Sequence, residues 1–127
     1  MARILIAEDE DTLRNLVVRA LLQERHEVLS AADGAEALDL MTRDEGQFDL
    51  LLTDIRMPLM DGIALALSAA HDYPELVILL MTAYADQRER AYGLEAIIHD
   101  VITKPFTLAE IKVAVSEALA ARRAAAS

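Results

Sequence analysis

Asp49-Leu50-Leu51-Leu52-Thr53 is a short run with an unbroken apolar centre, and it is closed by Asp54. A strand with one wet face alternates apolar and polar residues; a strand buried on both faces does not. The run therefore predicts a strand inside a parallel sheet that helices cover on both sides. Arg3–Ala7 and Leu76–Met81 read the same way, and Glu27–Ala31 and Val101–Thr103 complete five strand-length runs. Helix-period segments lie between them. Leu13, Leu16, Val17, Ala20 and Leu21 fall on one apolar stripe. Ala35–Met41 follows Asp33, with Glu36 placed as the capping partner. Ile63–Ala70 stops before Tyr73-Pro74, and Gln87–Ile97 is a polar, weakly amphipathic segment with Asp86 and Glu89 placed to cap its start. Thr107-Leu108-Ala109-Glu110 is a capping box, and Leu108, Ile111, Val115 and Leu119 form the stripe that follows it. Five strand–helix units predict one three-layer α/β domain with right-handed crossovers.

The chain has 127 residues, of which 54% are apolar, enough for one domain with one ordinary core. Asp and Glu outnumber Lys and Arg by 22 to 12, giving a net charge of −10. Such a charge repels nucleic acid and anionic lipid, and no local basic patch offsets it, so no nucleic-acid or membrane partner is expected. Cys is absent, which excludes disulfides, thiolate catalysis and Cys-based zinc sites. His26, His71 and His99 lack metal-ligand spacing and read as surface or loop residues. The N-terminal apolar run Ile4-Leu5-Ile6-Ala7 is too short for a signal-peptide core or a membrane span, so a cytoplasmic protein is expected.

In an open α/β sheet, ligands bind beyond the carboxyl ends of the strands. Glu8-Asp9-Glu10-Asp11 follow the first strand, Thr53-Asp54 end the third, Thr82-Ala83 end the fourth, and Lys104-Pro105 follow the fifth. If these ends converge, one pocket holds several carboxylates, a hydroxyl and an ammonium. Carboxylates that close repel one another unless a cation joins them. A hard divalent ion with oxygen ligands fits, and Mg²⁺ needs only one or two carboxylates alongside water. Asp54 ends a buried strand and is drawn toward the interior, whereas Glu10 and Asp11 read as solvated neighbours. A carboxylate nucleophile, a metal and two donors are the parts needed around a phosphoryl group.

Across nearly its whole length the sequence resembles the receiver domain of two-component response regulators, the CheY-like family. The resemblance rests on Glu8-Asp9, on Thr53-Asp54-Ile55-Arg56-Met57-Pro58 with Met60-Asp61-Gly62, on Thr82-Ala83, and on Lys104-Pro105-Phe106. It implies a doubly wound, five-stranded parallel sheet in strand order 2-1-3-4-5, with helices on both faces. It implies that Asp54 accepts a phosphoryl group from a histidine kinase or a histidine phosphotransfer protein. Asp9 and Asp54 would hold Mg²⁺ directly, Glu8 through water, and the backbone carbonyl of Arg56 would be a further ligand. Thr82 and Lys104 would bind phosphoryl oxygens, and the Lys104–Pro105 peptide would be cis. The chain would catalyse only its own phosphorylation and dephosphorylation. Residues 1–121 would form the receiver and 122–127 a short tail, and output would pass to a protein target through the face of the fourth helix, fifth strand and fifth helix.

The sequence departs from the family at several positions. Val101 stands where an aromatic switch residue is usual, leaving Thr82 with Tyr84 as the expected substitute. Ala96-Ile97-Ile98 replaces a stretch of smaller residues, and Arg25 replaces a glycine that would cap the first helix. A flavin binder would need a phosphate-cradling loop where four acids stand, and a dinucleotide binder would need G-x-G-x-x-G. An aspartate-based phosphatase would need a general acid at Arg56. A degenerate receiver acting as a constitutive protein-binding adaptor is the alternative function.

Overall fold

A computed structural model describes residues 2–44 and 47–126. The elements alternate as β1 (Arg3–Ala7), α1 (Asp11–Gln23), β2 (Glu27–Ala31), α2 (Gly34–Arg43), β3 (Leu50–Asp54), α3 (Gly62–Asp72), β4 (Val77–Thr82), α4 (Ala85–Tyr92), β5 (Asp100–Thr103) and α5 (Leu108–Ala126). All strand pairs are parallel, in the order β2-β1-β3-β4-β5. The fold is the CheY-like doubly wound sheet that the alternating pattern and the family resemblance imply.

Successive side chains of a strand point to opposite faces, and the strands divide the core accordingly. Ile4, Ile6, Leu50, Leu52, Leu79 and Met81 pack with Val17 and Leu21 of α1 and Ile111 and Val115 of α5. Leu5, Leu51, Ile78 and Leu80 pack on the other face with Met41 of α2, Leu65 of α3 and Ala91 of α4. All five residues of β3 are buried, as expected of a central strand.

Most local signals match the structure. Asp33 accepts from the Glu36 N–H at 2.8 Å, and Thr107 and Glu110 exchange both bonds of the capping box at 3.0 and 3.1 Å. The apolar stripe of α1 is narrower than predicted: Val17, Ala20 and Leu21 are buried, but Leu16 stays 41% exposed. The fourth helix differs more. It ends at Tyr92 instead of running to Ile97, with Gly93 as its C-cap, and Tyr84 stands at its N-cap with no side-chain capping bond. Asp86 and Glu89 therefore do not cap it. Leu94 and Ile97 still pack on the core, but the backbone past Gly93 takes i→i+3 turns instead of continuing the α-helix. At the chain's other end, the stretch from residue 122 expected as a tail continues α5 to Ala126. No helix among the described residues is long and apolar enough to cross a membrane.

Candidate phosphoryl-acceptor site

Asp54 is the last residue of β3 and is only 6% exposed. Glu8 follows β1 and is fully buried, with its N–H bonded to the Ala31 carbonyl at 3.1 Å. Parallel pairing of β1 with β3 brings these two strand ends together. Asp9, next in the chain, is exposed. One carboxylate oxygen from each of Glu8, Asp9 and Asp54 lies within 4.8 Å of the others. Lys104 reaches into this group from the end of β5. Its ammonium donates to Glu8 Oε1 at 2.8 Å and to Asp54 Oδ2 at 3.1 Å. The peptide between Lys104 and Pro105 is cis.

The charges perturb one another. Burial pushes the Asp54 carboxyl above the ordinary Asp range against the pull of Lys104, and the Asp9 charge adds to the rise. Partial burial and the neighbouring Glu8 lift Asp9 as well. Burial alone would lower Lys104, but its bonds to Glu8 and the Asp54 charge outweigh that and hold the ammonium above the usual Lys range. A three-carboxylate group with one ammonium is an oxygen-rich donor set that suits a small hard dication. The residues present fit Mg²⁺.

Two loops frame the cleft. Arg56 lies at its edge, with its guanidinium 5.1 Å from the centre of the exposed Tyr84 ring. Asp61 caps α3 by accepting from the Ala64 N–H at 2.8 Å. Between them the chain turns tightly at Leu59, where φ is 69° and the Met60 N–H bonds the Pro58 carbonyl at 2.8 Å. Gly62, the first residue of α3, sits directly against the backbone of Asp54.

The residues singled out in the sequence divide into two groups. Glu8, Asp9, Asp54 and Lys104 come together, and Arg56 and Tyr84 line the same cleft. The Thr82 hydroxyl is buried and donates to Gln87 Oε1 at 3.0 Å, while accepting from the Tyr84 N–H at 3.1 Å. Val101 pairs with Leu80 and is half-buried against the core layer under α2, α3 and α4. Asp11 pairs with Arg14 at 2.6 Å, outside the acid group, and Glu10 is exposed at the cleft's edge. Sequence reasoning missed two contributors: Arg14, which donates to the Glu8 carbonyl at 2.9 Å, and Gln87. Both look in sequence like solvated helix residues, and no pattern separates them from their neighbours.

A doubly wound sheet with acids after β1 and β3 and a lysine after β5 defines the class of the CheY-like domains. A model of the response regulator receiver domain matches residues 4–116. The chain belongs to that family and is a receiver module of two-component signalling. It is 36% identical over 109 residues to the response regulator MprA of Mycobacterium avium, covering 86% of this chain and 47% of that protein. It is 35% identical over 115 residues to a probable transcriptional regulatory protein of a Picosynechococcus strain, covering 87% of this chain and 46% of that protein. The chain thus spans about half the length of these curated relatives. Among solved structures it is similar to the response regulator TrrA of Thermotoga maritima in complex with Mg²⁺ and beryllofluoride. That match has 30% identity and a TM-score of 0.81, over 93% of this chain and 99% of that one. Receivers are signalling domains, not conventional enzymes; they bind Mg²⁺ at an acidic pocket and interact with histidine kinases or phosphotransfer proteins.

Proposed function

We propose that this domain is a response regulator receiver phosphorylated on Asp54, whose output is a phosphorylation-controlled protein contact. The observation that carries the reading is the buried Asp54 carboxylate, held beside Glu8 and Asp9 with the Lys104 ammonium at 3.1 Å. An Asp54 oxygen attacks the phosphorus of a phosphohistidine. The P–N bond breaks, the imidazole leaves with a proton, and an acyl phosphate forms on Asp54. Lys104 exchanges carboxylate partners for a phosphoryl oxygen, and the Thr82 hydroxyl bonds another. Asp9, Asp54 and the Arg56 carbonyl would hold Mg²⁺, with Glu8 supporting it from beside them. When bound, the metal offsets the negative charge that builds between carboxylate and phosphoryl group. Water later hydrolyses the acyl phosphate, and this is the extent of the chain's own catalysis.

The donor is a histidine kinase or phosphotransfer protein in the cytoplasm, and residues 1–121 constitute the receiver. The downstream surface is the face of α4, β5 and α5. A cleft beside β5 is bordered by Tyr92, Ile98 and Val101 together with Glu95, His99 and Asp100, and Tyr92 is 49% exposed. The net charge of −10 argues against nucleic acid and favours a protein as the partner.

Intact-mass measurement with acetyl phosphate and Mg²⁺ tests the reading. The protein should gain one phosphoryl group, chelation of Mg²⁺ should prevent the gain, and Asp54→Asn should abolish it. A wild-type protein that takes up no phosphoryl group under these conditions would favour the constitutive adaptor.

A further inference from the structure

The hydrogen bond between Thr82 and Gln87 links the acceptor site to α4 in a way the receiver reading does not require. Thr82 ends β4 and is 1% exposed. A threonine hydroxyl has one proton to donate. Here that proton faces Gln87 Oε1 at 3.0 Å, and the Tyr84 carbonyl is a poorer acceptor at 3.4 Å. The hydroxyl oxygen also accepts from the Tyr84 N–H at 3.1 Å. Gln87 lies in the first turn of α4, a helix whose N-cap supplies no side-chain bond. Of the α4 side chains whose exposure is described, only Ala91 is buried. The helix's other side-chain ties are exposed: Arg90 stands 3.6 Å from Asp61, and Arg88 reaches Tyr92 within α4 itself. Gln87 therefore provides the bond that joins the helix's first turn to a buried group of the sheet.

We propose that Gln87 is a positioning residue for Thr82. Its side-chain oxygen holds the hydroxyl proton in the unphosphorylated protein, and a phosphoryl group on Asp54 must take that proton away, releasing the first turn of α4. The inference rests on the receiver reading given above, since it needs an anion at Asp54. The single hydroxyl proton cannot face both Gln87 Oε1 and a phosphoryl oxygen, so the latch bond and the anion compete. Whatever the latch adds to the stability of the resting helix it subtracts from the affinity for the phosphoryl group.

The test uses the full chain, with beryllofluoride and Mg²⁺ as the phosphoryl mimic and amide hydrogen exchange as the structural readout. Gln87→Ala should bind beryllofluoride about fivefold more tightly, the factor that a hydrogen bond of ordinary net strength represents. Without ligand, Gln87→Ala should lower protection of the amides at 85–92. In the Thr82→Val background the same substitution should cost no further protection, because its partner is already gone. Unchanged or weaker beryllofluoride affinity in Gln87→Ala would overturn the proposal. So would an equal loss of protection in both backgrounds. A wild-type protein that fails to bind beryllofluoride would instead overturn the receiver reading, while the exchange cycle would still decide whether Gln87 and Thr82 are coupled.

Discussion

Gly62 shows how a residue with no side chain shapes the acceptor. A Cβ placed there would lie 2.0 Å from the carbonyl oxygen of Asp54 and 2.8 Å from its carbonyl carbon. Both are backbone atoms of a central strand and cannot rotate away. The Gly62 N–H is also bonded to the Ile55 carbonyl at 2.7 Å, which fixes the approach. Gly62→Ala must therefore displace Asp54 or the start of α3. It should destabilise the domain by about 1–3 kcal/mol, the usual cost of overpacking. It should also slow phosphoryl uptake severalfold, read by urea midpoint and by the rate of mass gain. In the sequence, Asp61-Gly62 signals a turn into a helix, which is correct but incomplete. The close approach depends on where β3 ends relative to α3, and that is a property of packing. Asp54, Glu8, Asp9 and Lys104 were legible because each stands where an apolar strand run stops. Gln87 was not, because a glutamine on a polar helix carries no signal of which atom it faces.

The ends of α1 and α4 contrast in how much of an element can be read ahead of the structure. At the end of α1, Arg25 adopts φ 65°. Its N–H bonds the Leu22 carbonyl at 3.0 Å and the His26 N–H bonds the Leu21 carbonyl at 3.3 Å, the paired bonds of a Schellman cap. The cap thus forms without the glycine that would favour it, and Arg25 bears the cost of a left-handed backbone. Arg25→Gly should stabilise the protein by about 1 kcal/mol, seen as a rise of a few degrees in the thermal midpoint. No gain would mean that the arginine side chain compensates locally. For α4 the helical type was legible and its length was not. Gly93 is a poor helix former, but an isolated glycine does not always end a helix. Past Gly93 the chain tightens into turns, with the Leu94 N–H on the Ala91 carbonyl and the Ile97 N–H on the Leu94 carbonyl, both at 2.9 Å, and Leu94, Ile97 and Ile98 still pack on the core.

The domain is closed at the amino end of its sheet by charge. Asp49, just before β3, accepts from the Arg3 N–H at 2.8 Å and from the Arg122 guanidinium at 2.8 Å. It joins β1, β3 and the last turns of α5, while Arg3 also lies 4.8 Å over the Phe48 ring. Burial alone would raise the Asp49 carboxyl, but the Arg3 N–H and the bond and charge of Arg122 outweigh it, so the carboxyl is held below the ordinary Asp range. A carboxyl depressed in the folded state binds fewer protons there than in the unfolded chain. Its stabilisation is complete above the unfolded value of about 3.9 and is lost as pH falls through the folded value. Urea midpoints taken from pH 7 down to pH 3 should therefore decline at the acid end. Asp49→Asn should start lower at pH 7 and decline less steeply; an unchanged acid limb would remove Asp49 as its source. The Arg122 contact was not legible, because a doublet near the end of an alanine-rich helix gives no hint that it turns back to the sheet. The acceptor group and this clamp occupy opposite ends of the same strands. Natural proteins often trade activity for robustness because one set of residues serves both. Here the two demands fall on separate residues, so an engineer seeking a hardier protein can work around Asp49 and leave the phosphoryl chemistry as it stands.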